Sequence, residues 1–386
     1  FPMLPLLLAL MAQTVGSFEA GSAACWVKMG RASMGRRAGT GVVPPAGSLR
    51  AGGGGRGRSG ATTFSSSASE AIFSFGVISD IQYADIEDGA SFSGTPRYYR
   101  HALTATRRTV ELWNEKRVST AIHLGDIVDV HCPRNRSVTA FKDVLQEFKK
   151  LKGDVLHVVG NHCIYNLNRE TMAKLLPVPG KLQDDCFYYS VTPQDCQDVR
   201  LLILDTYDIS MMWPTTSARH RLAKYLLHKH HHPRSSNLLS PSKLEGLNKR
   251  FVAFNGALSS KQLKWVEDNL REAEREGQQV FIFSHNPLHP DGTAPQCLLW
   301  NYDVLLQLLA RFRSTVSFCF SGHAHAGGFS RDDAGIPHRV VEATVECPPG
   351  HVASAVVNIF SDRVEIEGAG GMRSGVYRTR GGGDGD

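Results

Sequence analysis

Ile122-His123-Leu124-Gly125-Asp126-Ile127-Val128-Asp129 reads as a buried strand that stops at a glycine turn and hands two carboxylates to the loop beyond it. The apolar residues alone make Ala121 to Leu124 an ordinary core strand. The Gly-Asp that follows sets an acid on the loop rim, where α/β proteins place their chemistry. A lone Gly-Asp is more often a turn with a solvated acid, so the neighbouring segments decide the reading.

Working outward, the same arrangement recurs. Ala71 to Ser79 is a strand running into Asp80-Ile81-Gln82, and Asp154 to Val159 runs into Gly160-Asn161-His162. Val199 to Leu204 ends in Asp205, Gln279 to Phe283 in Ser284-His285, and Thr315 to Phe320 in Ser321-Gly322-His323-Ala324-His325. Helical spacing separates several of these strands: Arg97 to Arg117 carries Leu103, Val110 and Leu112-Trp113, and a helix N-capped by Ser137 carries Val138, Phe141, Val144, Phe148 and Leu151 before Gly153. A third helix begins at Ser259 or Ser260, carries Leu263, Val266 and Leu270, and stops at Gly277. Arg339 to Glu346, Val352 to Phe360 and Arg363 to Glu367 read as antiparallel strands completing a sheet. Strand, helix and polar strand end in repetition describe an α/β architecture with one shared rim.

The formal charge of +6 hints at nucleic acid until it is located. Residues 1–69 hold seven Lys/Arg against Glu19 alone and account for all of it. Residues 215–250 hold eight Lys/Arg against Glu245, which leaves the rest acidic and argues against a nucleic-acid reader. Residues 1–69, with Pro5 to Ala12 as a short apolar run and then Arg, Ser, Ala and Gly, match a targeting segment for a plastid or mitochondrion. The alternatives are an interaction arm and a cytoplasmic protein. Seven cysteines beyond the leader show no regular spacing, which favours a reduced compartment over a disulfide framework. No apolar run reaches membrane-span length. One catalytic domain is expected over residues 70–375, interrupted by a basic, His-rich insertion at 215–250 that reads as a solvated loop, with metal binding as the minor alternative. Residues 376–386 read as a loose Gly-rich tail.

Asp80, Gln82, Asp126, Asn161, His285, His323 and His325 supply seven oxygen or imidazole donors from five segments. Converging at one rim, they have the composition of a two-metal hydrolytic site in which one carboxylate is shared. Carboxylate, amide and imidazole without thiolate suit Mn²⁺, Fe or Mg²⁺ better than a structural zinc site. Gly125, Gly160 and Gly322 are expected to let the backbone turn sharply before each ligand.

At these residues the sequence resembles the calcineurin-like metallophosphoesterases, whose D-x-H/Q, G-D-x-x-D, G-N-H, lone His and G-H-x-H motifs occur in order between residues 71 and 330. Arg97-Tyr98-Tyr99-Arg100, Leu204-Asp205-Thr206-Tyr207-Asp208, Phe254-Asn255-Gly256, Cys297 to Tyr302 and Gly322 to Gly328 resemble a narrower family, the manganese-dependent ADP-ribose/CDP-alcohol diphosphatases. The resemblance implies a distorted four-layer β-sandwich flanked by helices. It places one ion on Asp80, Gln82, Asp126 and His325, and a second on Asp126, Asn161, His285 and His323. Manganese is the expected metal, with iron, magnesium and zinc as alternatives. His162 would stabilise or protonate the leaving oxygen, with Asp129 orienting its ring. Cys163 stands where the superfamily commonly has an acid.

The implied reaction is in-line hydrolysis of a diphosphate in a small nucleoside diphosphate-linked substrate by a monomer. Phe254 and Cys297 would sandwich the base, with Arg97 or Arg100 at the distal phosphate or ribose. Core packing for Phe254 and Cys297, and a solvated helix start for the arginines, are equally open. The competing readings are a phosphodiesterase or phosphatase acting on cyclic nucleotides, nucleic-acid ends or phosphoproteins, and a metal-binding scaffold without catalysis.

Overall fold

The computed structural model describes residues 70–180, 182–231 and 237–379. The expected leader at 1–69 and the tail from 380 lie outside them. In chain order the sheet strands are β1 (Phe73–Ile78), β2 (Thr120–His123), β3 (Asp154–His157), β4 (Tyr189–Val191), β5 (Val199–Ile203), β6 (Gln279–Ser284), β7 (Val316–Ser321), β8 (Gly328–Arg331), β9 (Pro337–Val340), β10 (Ala353–Ile359), β11 (Arg363–Gly370) and β12 (Gly375–Arg378). The helices are α1 (Tyr99–Glu115), α2 (Ser137–Phe148), α3 (Asn161–Asn166), α4 (Arg169–Leu175), α5 (Ala218–His230), α6 (Ser260–Glu276) and α7 (Tyr302–Arg311).

Two six-stranded sheets form, in the orders β12-β11-β10-β1-β2-β3 and β8-β9-β7-β6-β5-β4. Their central strands are apolar on both faces because both faces are covered. Phe75 and Val77 of β1 enter the core between the sheets with Ile122, Leu201, Ile203, Phe281, Phe283, Phe318 and Phe320. The alternate residues face helices: Ile78 and Ala121 meet Val110, Trp113, Phe141 and Phe148 of α1 and α2, while Leu202, Val280 and Ile282 meet Val266, Leu270, Leu305 and Leu309 of α6 and α7. The result is the expected four-layer sandwich. Gly76 admits the indole of Trp113, since a Cβ there would stand 2.4 Å from the ring.

Several expectations need correcting. The strand expected at Arg339 to Glu346 is short and runs parallel to β7 in the second sheet, while β10 and β11 belong to the first. Its expected end, Thr344–Glu346, is a 3-10 turn. Ser137 does not cap α2: Arg136 holds the cap position, and Ser137 Oγ donates to Asn166 Oδ1 at 2.7 Å. Ser259 does cap α6, accepting from Gln262 N–H, and Gly277 ends it in the left-handed conformation at φ 70°. Strand β12 extends to Arg378, so the fold continues past the expected boundary at 375.

The described part of the His-rich insertion packs onto the domain. Ala223 and Leu227 of α5 bury against Ile209, Phe251, Val252 and Trp300. His230 stacks on Phe251 at 3.5 Å between centroids, and the His231 ring nitrogen lies 2.6 Å from the Phe251 carbonyl. These two histidines serve the packing of the insertion. His232 lies outside the described residues.

Candidate metal centre

Parallel pairing of β1 with β2, and of β6 with β7, sets the polar strand ends side by side. Asp80 N–H donates to the Gly125 carbonyl at 3.1 Å, Gln82 N–H to the Asp126 carbonyl at 2.8 Å, and Gly322 N–H to the His285 carbonyl at 3.0 Å. Four donors themselves adopt positive φ: Asp80 (48°), Gln82 (45°), Asp126 (60°) and His323 (65°). Such backbone strain outside glycine persists where surrounding bonds over-determine it, and it gathers at functional sites.

The glycines therefore differ from expectation. Gly125 does turn, at φ 105°, but Gly160 (φ −105°) and Gly322 do not lie in the left-handed region. They make room. A Cβ on Gly160 would stand 2.1 Å from Asp126 Oδ1, and one on Gly322 would stand 2.0 Å from Ser79 Oγ and 2.7 Å from Asp80 Oδ2.

All seven expected donors converge. One ligand atom from each of Asp80, Asp126 and His285 falls within 4.8 Å of the others. His325 Nε2 lies 3.5 Å from Asp80 Oδ1 and 3.1 Å from the Gln82 amide nitrogen. Asn161 Oδ1 lies 3.2 Å from His285 Nε2, and the His285 and His323 rings are 4.9 Å apart. Each carboxylate has one oxygen tied by the protein. Asp80 Oδ2 accepts from Ser79 Oγ (2.5 Å) and His323 N–H (2.9 Å). Asp126 Oδ1 accepts from His162 N–H (2.7 Å) and Cys163 N–H (3.4 Å). Asp126 Oδ2 faces both halves, 3.4 Å from Gln82 and 3.3 Å from His285.

Among the described residues, Asp80 Oδ1 and Gln82 Oε1 are buried without a hydrogen-bond partner. A buried oxygen lacking a donor calls for an explanation, and oxygen and imidazole donors gathered around such atoms fit hard divalent cations. A half-turn of the Gln82 amide would aim its oxygen where its nitrogen now stands.

The imidazoles are oriented from behind. His285 Nδ1 donates to the Leu124 carbonyl at 2.7 Å, His325 Nδ1 lies 2.7 Å from Glu346 Oε1, and His323 Nε2 lies 2.9 Å from Asn255 Oδ1. Each contact fixes a tautomer and leaves the other ring nitrogen for a cation. Tyr207, fully buried, donates its hydroxyl to Asn161 Oδ1 at 3.1 Å.

The buried carboxylates and imidazoles shift one another's titration strongly. Burial alone would raise the Asp126 carboxyl, but the charges of His285 and His162 bring it down to about 2. Asp80 is likewise pulled well below the carboxylate range against its burial, chiefly by His325 and His285. Burial would lower His285 and His325, yet the neighbouring carboxylates push both up to about 9. His323, buried beside charged His285, falls to about 3.

His162 Nδ1 lies 3.3 Å from Asp129 Oδ2 and 3.0 Å from Val130 N–H. Asp129 is fully buried, which would raise it, but the bond and charge of His162 hold it below the ordinary value. Arg97 reaches the site, 3.5 Å from Asp129 Oδ2. Arg100 is held elsewhere, its Nε 2.7 Å from Asp85 in an exposed ion pair. Phe254 lies 5.8 Å from the His323 ring. The Cys297 carbonyl accepts from Asn286, whose amide also donates to Asn255; burial pushes the Cys297 thiol up to about 12. Cys163 packs behind Asp126, with its Sγ accepting from Ile127 N–H at 3.4 Å, and burial keeps it a neutral thiol.

Glu346, Asn255 and Tyr207 carry contacts that the sequence did not single out by role. Asn255 and Tyr207 fall inside segments noted for resemblance. Glu346 fell inside an expected strand.

The family model for calcineurin-like phosphoesterase matches residues 73–327. A manganese-dependent ADP-ribose/CDP-alcohol diphosphatase of Arabidopsis thaliana is 39% identical over 311 residues, covering 80% of this chain and 98% of the relative. A protein of the same name from Homo sapiens is 34% identical, covering 79% and 92%. The crystal structure of a dimetal phosphatase from Danio rerio superposes with a TM-score of 0.76 at 35% identity, covering 80% of this chain and 99% of that one.

Proposed function

This chain belongs to the calcineurin-like phosphoesterases and, within them, to the manganese-dependent ADP-ribose/CDP-alcohol diphosphatases, and from that premise we propose how its residues divide the work. The protein is a hydrolase that cleaves the diphosphate of ADP-ribose or a CDP-alcohol to a nucleoside monophosphate and a phosphorylated sugar or alcohol. The observation that carries this reading is the convergence of seven oxygen and imidazole donors in a chain that spans nearly the whole length of the diphosphatase relatives.

Asp80, Gln82, Asp126 and His325 would hold one manganese ion, and Asp126, Asn161, His285 and His323 the other. When bound, the two ions supply Lewis acidity: they acidify water and neutralise charge that builds on phosphate oxygens. Asp126 is suited to the shared position because Oδ1 is gripped by the first turn of α3 and Oδ2 faces donors of both sets. Oriented this way, the protein groups need little rearrangement as charge develops.

His162 is the proton donor to the leaving oxygen. The Val130 N–H occupies Nδ1 of the neutral ring, and the buried Asp129 carboxylate faces the same atom to stabilise the imidazolium. Phe254 beside His323, and Cys297 across the Asn255–Asn286 pair, line the place for the base, with Arg97 at the phosphate side.

Purified full-length protein assayed with ADP-ribose, CDP-choline, a cyclic nucleotide and a phosphopeptide, each with Mn²⁺ or Mg²⁺, tests the assignment. Turnover of the first two with Mn²⁺ is expected. Comparable turnover of all four, or activity on the phosphopeptide alone, would refute it.

A further inference from the structure

Three imidazoles of the site are braced by three different acceptors: a backbone carbonyl behind His285, an amide oxygen behind His323 and a carboxylate behind His325. The carboxylate is Glu346, which comes from the 3-10 turn Thr344–Glu346 and is not among the seven donors. Its Oε1 lies 2.7 Å from His325 Nδ1, while His325 Nε2 points among Asp80 and Gln82. Both side chains are mostly buried, at 13% and 18% exposure for His325 and Glu346.

Backbone bonds fix this pair. Thr344 and Val345 N–H groups donate to the Ser79 and Asp80 carbonyls, each at 3.0 Å, and Ala343 N–H donates to the His325 carbonyl at 3.1 Å. Tyr98 N–H donates to the Val345 carbonyl at 2.7 Å, which draws Arg97 alongside. The Arg97 guanidinium then lies 3.9 Å from Glu346 Oε1, the oxygen that also faces His325, and 3.5 Å from Asp129 Oδ2. The turn is thus laced to the segments bearing Asp80 and His325 before any side chain is considered.

We propose that Glu346 is a positioning residue that fixes the tautomer and orientation of the His325 ring, and so sets the affinity of the manganese ion held by Asp80, Gln82 and His325 but not that of its neighbour. The inference rests on the two-ion reading above. A carboxylate behind a metal-binding histidine orients the ring and enriches the coordinating nitrogen, and losing such a partner weakens metal binding by about 10- to 100-fold.

The test is Mn²⁺ titration of the full chain by calorimetry, with bound ions counted by electron paramagnetic resonance, for wild type, Glu346→Ala, Glu346→Gln and Asp126→Ala. Glu346→Ala is expected to lose about 10- to 100-fold in affinity for one ion only. Glu346→Gln is expected to lose less, because its amide oxygen still accepts from Nδ1–H without bringing charge. In both variants KM for ADP-ribose at saturating Mn²⁺ is expected to stay at the wild-type value and kcat to recover as Mn²⁺ is raised.

Wild-type affinity for both ions in Glu346→Ala would overturn the inference. So would an equal loss at both ions with a lower metal-free melting temperature, which would make Glu346 a structural prop. A raised KM with unchanged metal affinities would make it a substrate contact and overturn the inference as well. If wild type binds no Mn²⁺, the two-ion reading falls and this falls with it. If Asp126→Ala loses both ions while the Glu346 variants bind like wild type, only the role of Glu346 falls.

Discussion

Gly160→Ala asks whether the glycine before Asn161 is there for conformation or for space. Its φ of −105° suits any residue, so a conformational account predicts a mild change. The spatial account predicts a severe one. The new methyl carbon would stand 2.1 Å from Asp126 Oδ1 and 2.7 Å from Asp126 N, against an ordinary contact of 3.4 Å or more. Asp126 must therefore yield by about 1.3 Å, or α3 must, in a core where overpacking costs about 1–3 kcal/mol. Asp126 has little room to yield, because its carbonyl accepts from Gln82 N–H and its Oδ1 from His162 N–H. Breaking the second bond, made to a charged oxygen, adds about 1.5–3 kcal/mol. The metal-free protein should lose about 2.5–6 kcal/mol in all, and affinity for both ions should fall together because the displaced carboxylate is the shared one. Urea unfolding with chelator and Mn²⁺ calorimetry measure the two effects. Gly277→Ala is the control: it forces a methyl into φ 70° with no atom within 4 Å, should cost about 1 kcal/mol and should leave Mn²⁺ binding untouched. Wild-type Mn²⁺ affinity in Gly160→Ala would refute the spatial account.

Asp126→Ala should abolish bound manganese and turnover together, whereas His162→Ala should keep both ions by metal analysis and lose about 10²- to 10⁴-fold in kcat; wild-type-like turnover in the latter would end the proton-donor assignment. His285 and His325 hold protons up to about pH 9 in the metal-free pocket, and a metal-bound imidazole must be neutral, so Mn²⁺ uptake at pH 7 should expel protons and apparent affinity should fall as pH drops from 9 to 6. Calorimetry in two buffers of different ionisation heat reads that release, and none at pH 7 would contradict the electrostatics. Arg169→Ala should destabilise the protein by about 3–5 kcal/mol in urea, because it strips the guanidinium from fully buried Asp205, whose oxygens it binds at 2.5 and 3.2 Å.

The sandwich was legible because its central strands are buried on both faces. Phe75 and Phe281 look toward one core while Ile78 and Ile282 look toward others, so each strand is an unbroken apolar run whose polar end stands out. Partnership between strands was not legible in the same way. Arg339 to Glu346 and Val352 to Phe360 both read as antiparallel strands, yet Pro337–Val340 lies parallel to β7 and Ala353–Ile359 antiparallel to β1, and nothing in apolar periodicity names a partner. The His-rich tract failed for a related reason. Its charge suggested solvent, but the few apolar residues of α5 suffice to anchor it on Phe251 and Trp300, and histidine stacks on an aromatic ring as readily as it binds metal.

At the site, the donors could be read because each directly follows a strand, and the pairing of parallel strands carries that adjacency into space. What could not be read is whatever acts across the chain. Glu346 is 21 residues from His325, Tyr207 is 46 from Asn161 and Asn255 is 68 from His323, and each reaches its partner from another segment of the fold. The glycines mislead more instructively. In sequence Gly160 and Gly322 look like turns that present a ligand, whereas in the structure Asp80, Gln82, Asp126 and His323 take the left-handed conformations themselves. Gly160 and Gly322 keep their α-carbons bare so that the two carboxylates can pack against backbone N–H groups. Since Asp126 Oδ1 is held by the first turn of α3 only while Gly160 lacks a methyl, and Asp80 Oδ2 by His323 N–H only while Gly322 does, the glycines act on the oxygens turned away from the pocket. By fixing those, they settle where Oδ1 of Asp80 and Oδ2 of Asp126 must point.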